Sequence, residues 1–174
     1  NTTQIHALTS ATLDALTATQ INAFNVTQAR TLSTTQIAGL TATDAAKFNT
    51  TLLNALTTSQ VAALTSTNVA SLAATQIAAF GVTQVGRLST DALSALDATQ
   101  VAAITTTQVG AITTTQLAAL TATDIGEFKT TQTSALTKTQ IQALTATNLA
   151  GLADTQIAAL GVTQIQGLTN TALS

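Results

Sequence analysis

The chain has 174 residues, enough by length for one domain, with 45% hydrophobic and only 7% charged residues. Its formal net charge of −2, with no basic cluster, argues against nucleic acid and anionic membrane as partners. Cysteine is absent, so there is no disulfide framework; no apolar run approaches membrane-spanning length and no signal peptide is visible.

From the N-terminus onward a large apolar residue returns every eighth position: Leu8, Leu16, Phe24, Leu32, Leu40, Phe48, and so on through Ile104 and Ile112 to Leu160 and Leu168, without a gap. A fixed short period over the whole chain is the signature of a stacked repeat array. With this residue as position eight, the first octad reads Asn1-Thr-Thr-Gln-Ile-His-Ala-Leu8. Position five is a second apolar column (Ile5, Leu13, Ile21, Ile37, Val61), with Ala29, Ala45 and Thr133 as its weak members. Position seven is mostly Ala or Gly (Ala7, Ala15, Gly39, Ala63, Gly151), which calls for close packing there. Position four is usually glutamine (Gln4, Gln20, Gln36, Gln116), replaced by Asp44, Asn68, Asp124 and Asn148. Position three is almost always threonine. Position one is Thr, Ser, Asn, Asp or Gly nearly everywhere, with Ala73, Lys129 and Ala153 as exceptions.

The position-one residues are those favoured at helix N-caps, and Thr-x-x-Gln is a capping box. Apolar positions five and eight then lie on one helical face. Each octad is therefore read as one short helix of about six residues, started by a Thr-type cap and ended by the next. One continuous helix is excluded, because an eight-residue period would rotate the apolar stripe by roughly 80° per octad. Helices this short are unstable alone, so neighbouring octads must bury positions five and eight together. The expected fold is all-α, a solenoid of very short helices. The alternative is a β-solenoid with 16-residue coils, since Thr, Val and Ile suit strands. Against it, positions five and eight would fall on opposite faces of a strand. The apolar columns are too regular for disorder. Thr, Ser, Ala, Gln and Asn are expected to form the outer surface.

The array reads as one continuous unit over 1–174, about 22 octads, which starts and stops in mid-pattern; it is expected to be a fragment of a longer array. The segment from Leu64 to Ser94 repeats almost position for position from Leu144 to Ser174, a duplication of 80 residues. A fainter 40-residue period also shows. Position four lacks an amide or carboxylate at Thr12, Leu52, Ala92 and Ala172, and position seven is charged at Lys47, Arg87 and Glu127. Duplication is the preferred account. A geometric alternative, five octads per superhelical turn, would align these charges along one edge.

No catalytic, cofactor-binding or metal-binding residue is assigned, and no enzyme activity is expected. The lone histidine, His6, lies in a small or polar column expected to face solvent, without a partner base or orienting group. Asp14 shares that column one octad later, but nothing supplies further metal ligands. Asp91, Asp97, Asp154 and Glu127 are scattered singly; Asp44 and Asp124 fit the capping box and Asp97 the cap itself. No phosphate loop, nucleophile elbow or Cys/His cluster occurs.

The pairs Thr17/Thr19, Thr41/Thr43, Thr65/Thr67, Thr105/Thr107, Thr113/Thr115, Thr121/Thr123 and Thr145/Thr147 resemble the threonine ladders of insect-type ice-binding proteins and bacterial ice-nucleation proteins. Those families place the pair on a flat β face, so helix capping is the preferred reading of these threonines. As a whole, the repeat Leu-Thr-x-Thr-Gln-Ile-x-Ala-Leu resembles the short Thr/Gln/Ala/Leu repeats of very large secreted or surface-attached, adhesin-like bacterial proteins. That resemblance implies an extracellular rod, stalk, self-assembling filament or surface-layer role, for which the lack of cysteine is no obstacle. The alternative is a binding module, for ice or for an extended polymer along the solenoid groove. Self-association is expected; nucleic acid, membrane insertion and a small-molecule ligand are not.

Overall fold

The structure, a computed structural model, describes residues 1–168. Every octad in that range forms one helix in register with the sequence period: α1 is Thr2–His6, α2 Ser10–Asp14, α3 Ala18–Asn22, and the series runs on to α21, Val162–Leu168, so helix number equals octad number. No strand occurs among the described residues. The helical reading therefore holds and the β-coil does not.

Each helix starts where the cap was expected. At α3, the Thr17 hydroxyl accepts from the Gln20 N–H at 3.3 Å, and Gln20 Oε1 accepts from the Thr17 N–H at 2.9 Å. These bonds satisfy donors that the first turn of a helix leaves unpaired. The exceptional caps Ala73, Lys129 and Ala153, and also Gly81, make no side-chain cap bond. There the position-four N–H turns to the cap's carbonyl instead, as Gln76 N–H does to Ala73 O at 2.8 Å, while Gln76 Oε1 still accepts from the Ala73 N–H. Helices end when the position-eight N–H closes a tight bond to position five, for example Leu56 N–H to Leu53 O at 3.2 Å. Position eight then becomes extended (Leu56, φ −56°, ψ 140°), as does the next cap (Thr57, φ −68°, ψ 159°), and these two residues make the corner.

Three corners close a coil. Helices pack strongly on the third helix along the chain: α1 on α4 (Val26–Thr31), α6 (Ala42–Lys47) on α9 (Ser66–Ala70), α18 (Lys138–Gln142) on α21. The fold is a three-sided solenoid with 24 residues per coil. This corrects the five-octad turn. Lys47, Arg87 and Glu127 sit on octads six, eleven and sixteen, which fall on three different sides of the rod rather than along one edge. Duplication alone is left to explain their spacing. Ala172, the last member of that series, lies outside the described residues.

Positions five and eight fill the interior as expected. Leu13, Ile21, Ile37, Val61 and Ile141 are fully buried, and Leu72, Phe80 and Ile112 in the other column are buried. The weak members Ala29, Ala45 and Thr133 are equally buried, so they thin the core without opening it. Removing one Leu-sized side chain from water contributes about 1.5–3 kcal/mol, which is what holds helices too short to persist alone. Close packing at position seven is real: a Cβ on Gly151 would lie 2.1 Å from the Ala122 carbonyl oxygen, and one on Gly39 would strike Ser10 Oγ. No glycine has positive φ, so these two serve space and not conformation.

Candidate functional site

The position-four glutamines were expected on the surface. From Gln36 onward they are buried instead: Gln60 and Gln156 are 2% exposed and Gln100 3%. The reason is the corner. Once the chain leaves the helix at position eight, that residue's carbonyl has no partner within its own helix, and a buried carbonyl without one is costly. Each glutamine supplies it to the coil beneath. Gln60 Nε2 donates to Leu32 O at 2.7 Å and Ala29 O at 2.8 Å. Gln100 Nε2 donates to Leu72 O at 2.6 Å and Val69 O at 3.2 Å. Gln140 Nε2 donates to Ile112 O at 2.7 Å and Val109 O at 2.9 Å. The same step of 28 residues links Gln36 to Leu8 and Gln164 to Leu136. One amide thus works twice: its oxygen closes the capping box and its nitrogen joins the coils. The asparagines keep the pattern, Asn68 Nδ2 donating to Leu40 O at 2.8 Å and Asn148 Nδ2 to Leu120 O.

Aspartate can close the box but has no nitrogen to give. At α6, Asp44 Oδ2 accepts from the Thr41 N–H at 3.1 Å and from the Thr41 hydroxyl at 2.6 Å. Lys47, one turn later, supplies the missing donor. Its ammonium reaches Leu16 O at 2.8 Å and Asp14 O at 3.1 Å, the carbonyls a glutamine would have met, and pairs with Asp44 Oδ1 at 2.7 Å. Burial pushes the Asp44 carboxyl up, but the hydrogen bonds from Lys47 and Thr41 and the lysine's charge outweigh it, and the group sits below its ordinary value.

At α16 (Ala122–Gly126) the substitution is repeated without the lysine. Asp124 Oδ2 accepts from the Thr121 N–H at 2.8 Å and from the Ser94 hydroxyl. Position seven holds Glu127, whose Oε2 is buried with no hydrogen-bond partner. Burial first, then the charges of Asp124 and Asp97, raise the Glu127 carboxyl above its ordinary value.

The other residues weighed in the sequence stay apart. His6 is exposed, as expected, but its ring is bonded: Nδ1 lies 3.1 Å from Thr31 O in the next coil. Its column carries further such bonds, from Asn22 to Lys47 O, Arg30 to Ala55 O and Asn54 to Ala79 O. Asp14 follows on the next side of the rod. Among the described residues, no group of three or more His, Cys, Asp or Glu could hold a metal ion, and no helix is long and apolar enough to cross a membrane. A shallow surface groove between Val26, Arg30, Thr50 and Asn54 has its guanidinium committed to Ala55 O. The first threonine of each Thr-x-Thr pair is engaged as a cap, as at Thr105 and Thr113.

These features define a helical-solenoid repeat protein. A family model described as the ALTTAQ repeat matches residues 77–114, from α10 (Ala74–Ala78) to the start of α15 (Thr114–Ala119), so the chain is similar to that repeat there. No curated protein matches the chain.

Proposed function

We propose that the chain is a structural segment of an extracellular bacterial surface protein, acting as a rod, stalk or self-assembling filament. The observation that carries this reading is the amide ladder, which joins coil to coil between Ile5 and Gln164 wherever position four is Gln or Asn and is interrupted at Asp44, Leu52, Ala92 and Asp124. Bonds that bind each coil to the next, over a continuous apolar interior, suit a role in which length itself is the function. The low charge, the resemblance to secreted adhesin-like repeats and the scatter of the reactive groups among the described residues support it.

The edges of the described coils support self-association. Position eight is half-buried throughout the first coil, at Leu8, Leu16 and Phe24, buried from Leu32 to Leu160, and partly buried again at Leu168. Position five is buried from Ile5 to Ile141, but Ile157 and Ile165 are 40% exposed. Position eight thus needs the coil before it and position five the coil after it. One edge fits the other, whether the next coil comes from the same chain or from another copy. Such head-to-tail contact is heterologous and propagates.

Small-angle scattering on arrays of different coil number tests the rod: length should rise with coil number at constant cross-section, and a globular profile would overturn it. Electron microscopy over a concentration series, at low and high salt, tests assembly. Filaments of constant width that persist in salt are expected; a strictly monomeric particle at high concentration removes the filament. Thermal hysteresis in the same samples would replace both with the ice-binding reading.

A further inference from the structure

The corner at Asp124 breaks the ladder in a way that the corner at Asp44 does not. The two octads are related by the 80-residue duplication and share Thr-Ala-Thr-Asp. In the first, Lys47 reaches the carbonyls of Asp14 and Leu16. The corresponding carbonyls in the second belong to Ser94 and Leu96, at the end of α12 (Thr90–Ser94) and the corner after it. The residue placed where Lys47 stands is Glu127, an acceptor when ionised, with a buried and unpartnered oxygen. The corner therefore gathers carboxylate and carbonyl oxygens where every glutamine octad places a nitrogen.

We propose that Glu127 is a proton-operated rung of the ladder: as the neutral acid it donates its one O–H to a corner carbonyl, that of Leu96 or Ser94, and as the carboxylate it leaves that corner open. A carboxylic acid has the one donor this position lacks. Its surroundings favour the proton. Asp124 on the same helix and Asp97, the N-cap of α13 (Ala98–Ala103), both act on it with like charge. Asp91 is exposed on α12, the helix that ends in Ser94. The nearest cation in sequence, Lys129, is held by Ala102 O at 2.9 Å. The helix packed on the far side of α16, α19 (Ala146–Ala150), has no titratable residue. The inference holds whatever the rod is for, since it concerns one rung.

The sign follows from linkage. A carboxyl raised on folding binds its proton more tightly in the folded state, so its contribution is complete below the ordinary carboxylate value and is lost as pH rises through the raised one. Wild type, Glu127→Gln and Glu127→Ala are compared by urea unfolding and by hydrogen exchange of the backbone amides at 95–98 and 124–128, between about pH 8 and about pH 4.5. Gln carries a permanent donor and Ala none. At the upper pH the Gln variant should open least. Its advantage over wild type in the local opening constant should shrink with acidification, by about tenfold for each unit by which the Glu127 carboxyl is raised. Parallel pH profiles for wild type and the Gln variant would overturn the proposal. So would equal protection of the Gln and Ala variants, since repulsion alone would then account for the effect. Calcium chloride that protects wild type but not the Gln variant at neutral pH would also overturn it, by assigning the oxygens to a cation.

Discussion

Replacing Lys47 by methionine tests whether the ladder carries stability or only decorates it. Methionine keeps the stem that lies along the coil and removes the ammonium. Three acceptors then lose their donor together: Leu16 O, Asp14 O and Asp44 Oδ1. Asp44 is 1% exposed, so its charge would stay buried without a counter-ion. Removing one member of a buried ion pair costs about 3–5 kcal/mol, and the lysine's 18% exposure places this case near about 3 kcal/mol. For a chain of this size that is roughly a 6–12 °C fall in melting temperature, read by circular dichroism. The pH dependence has a definite sign. In the wild type the lowered Asp44 carboxyl contributes stability above its ordinary value, lost as pH falls through the folded value. Without Lys47 the carboxyl is raised by burial, so the deficit should narrow in acid. Asp44→Gln in the same background should restore most of the loss, because the amide closes the Thr41 box and reaches the same carbonyls. A Lys47→Met protein that melts like wild type, or a double variant no better than the single one, would refute the reasoning.

The other expected outcomes concern the remaining columns of the octad. Gln100→Glu exchanges a donor for an acceptor against the Leu72 and Val69 carbonyls and should cost about 3–5 kcal/mol at neutral pH, recovering partly in acid; an unchanged urea midpoint would show that the nitrogen is not needed. Gly151→Ala drives a methyl onto the Ala122 carbonyl and should cost about 1–3 kcal/mol, read in the same melt, whereas Gly110→Ala, whose nearest contact is 3.4 Å, should be tolerated. Leu72→Asp buries a charge without a partner in the eighth-position column at a cost on the order of several kcal/mol; a normal melt would remove that column from the core.

Much of this architecture is legible in the sequence because its causes are local. The caps at Thr17 and Thr57 are read from three-residue spacing, and the interior from the spacing of Ile37 and Leu40. The number of helices per coil is not local. It depends on the angle made by two extended residues at each corner, and no side-chain column states that angle, so a 40-residue duplication competes with it as a false clue. The ladder was legible in principle. Glutamate serves a capping box as well as glutamine and is favoured by the helix dipole, yet position four has glutamine fourteen times and glutamate never. A preference for the weaker charge partner at a helix start signals that the nitrogen has work elsewhere. That nitrogen's target lies 28 residues away, at a separation no motif records.

The choice of amide over carboxylate also bears on what such a rod withstands. A rung of amide to carbonyl carries no net charge, so neither salt nor pH between the carboxylate and lysine ranges alters it. Charge enters the ladder only at octads six and sixteen, and the two solve one problem differently. At Asp44 a lysine makes the rung permanent until acid removes the carboxylate. At Asp124 the same position holds a second acid, and the rung needs a proton. As pH falls from neutral, the Glu127 corner should close before the Asp44 corner weakens, since one carboxyl is raised and the other lowered. The array then has an interval in mild acid in which both charged rungs are made. Two separate transitions in hydrogen exchange, at 95–98 and at 15–18, in that order on acidification, are the expected record of it; a single shared transition, or the reverse order, would mean that the two corners do not titrate as their donors dictate.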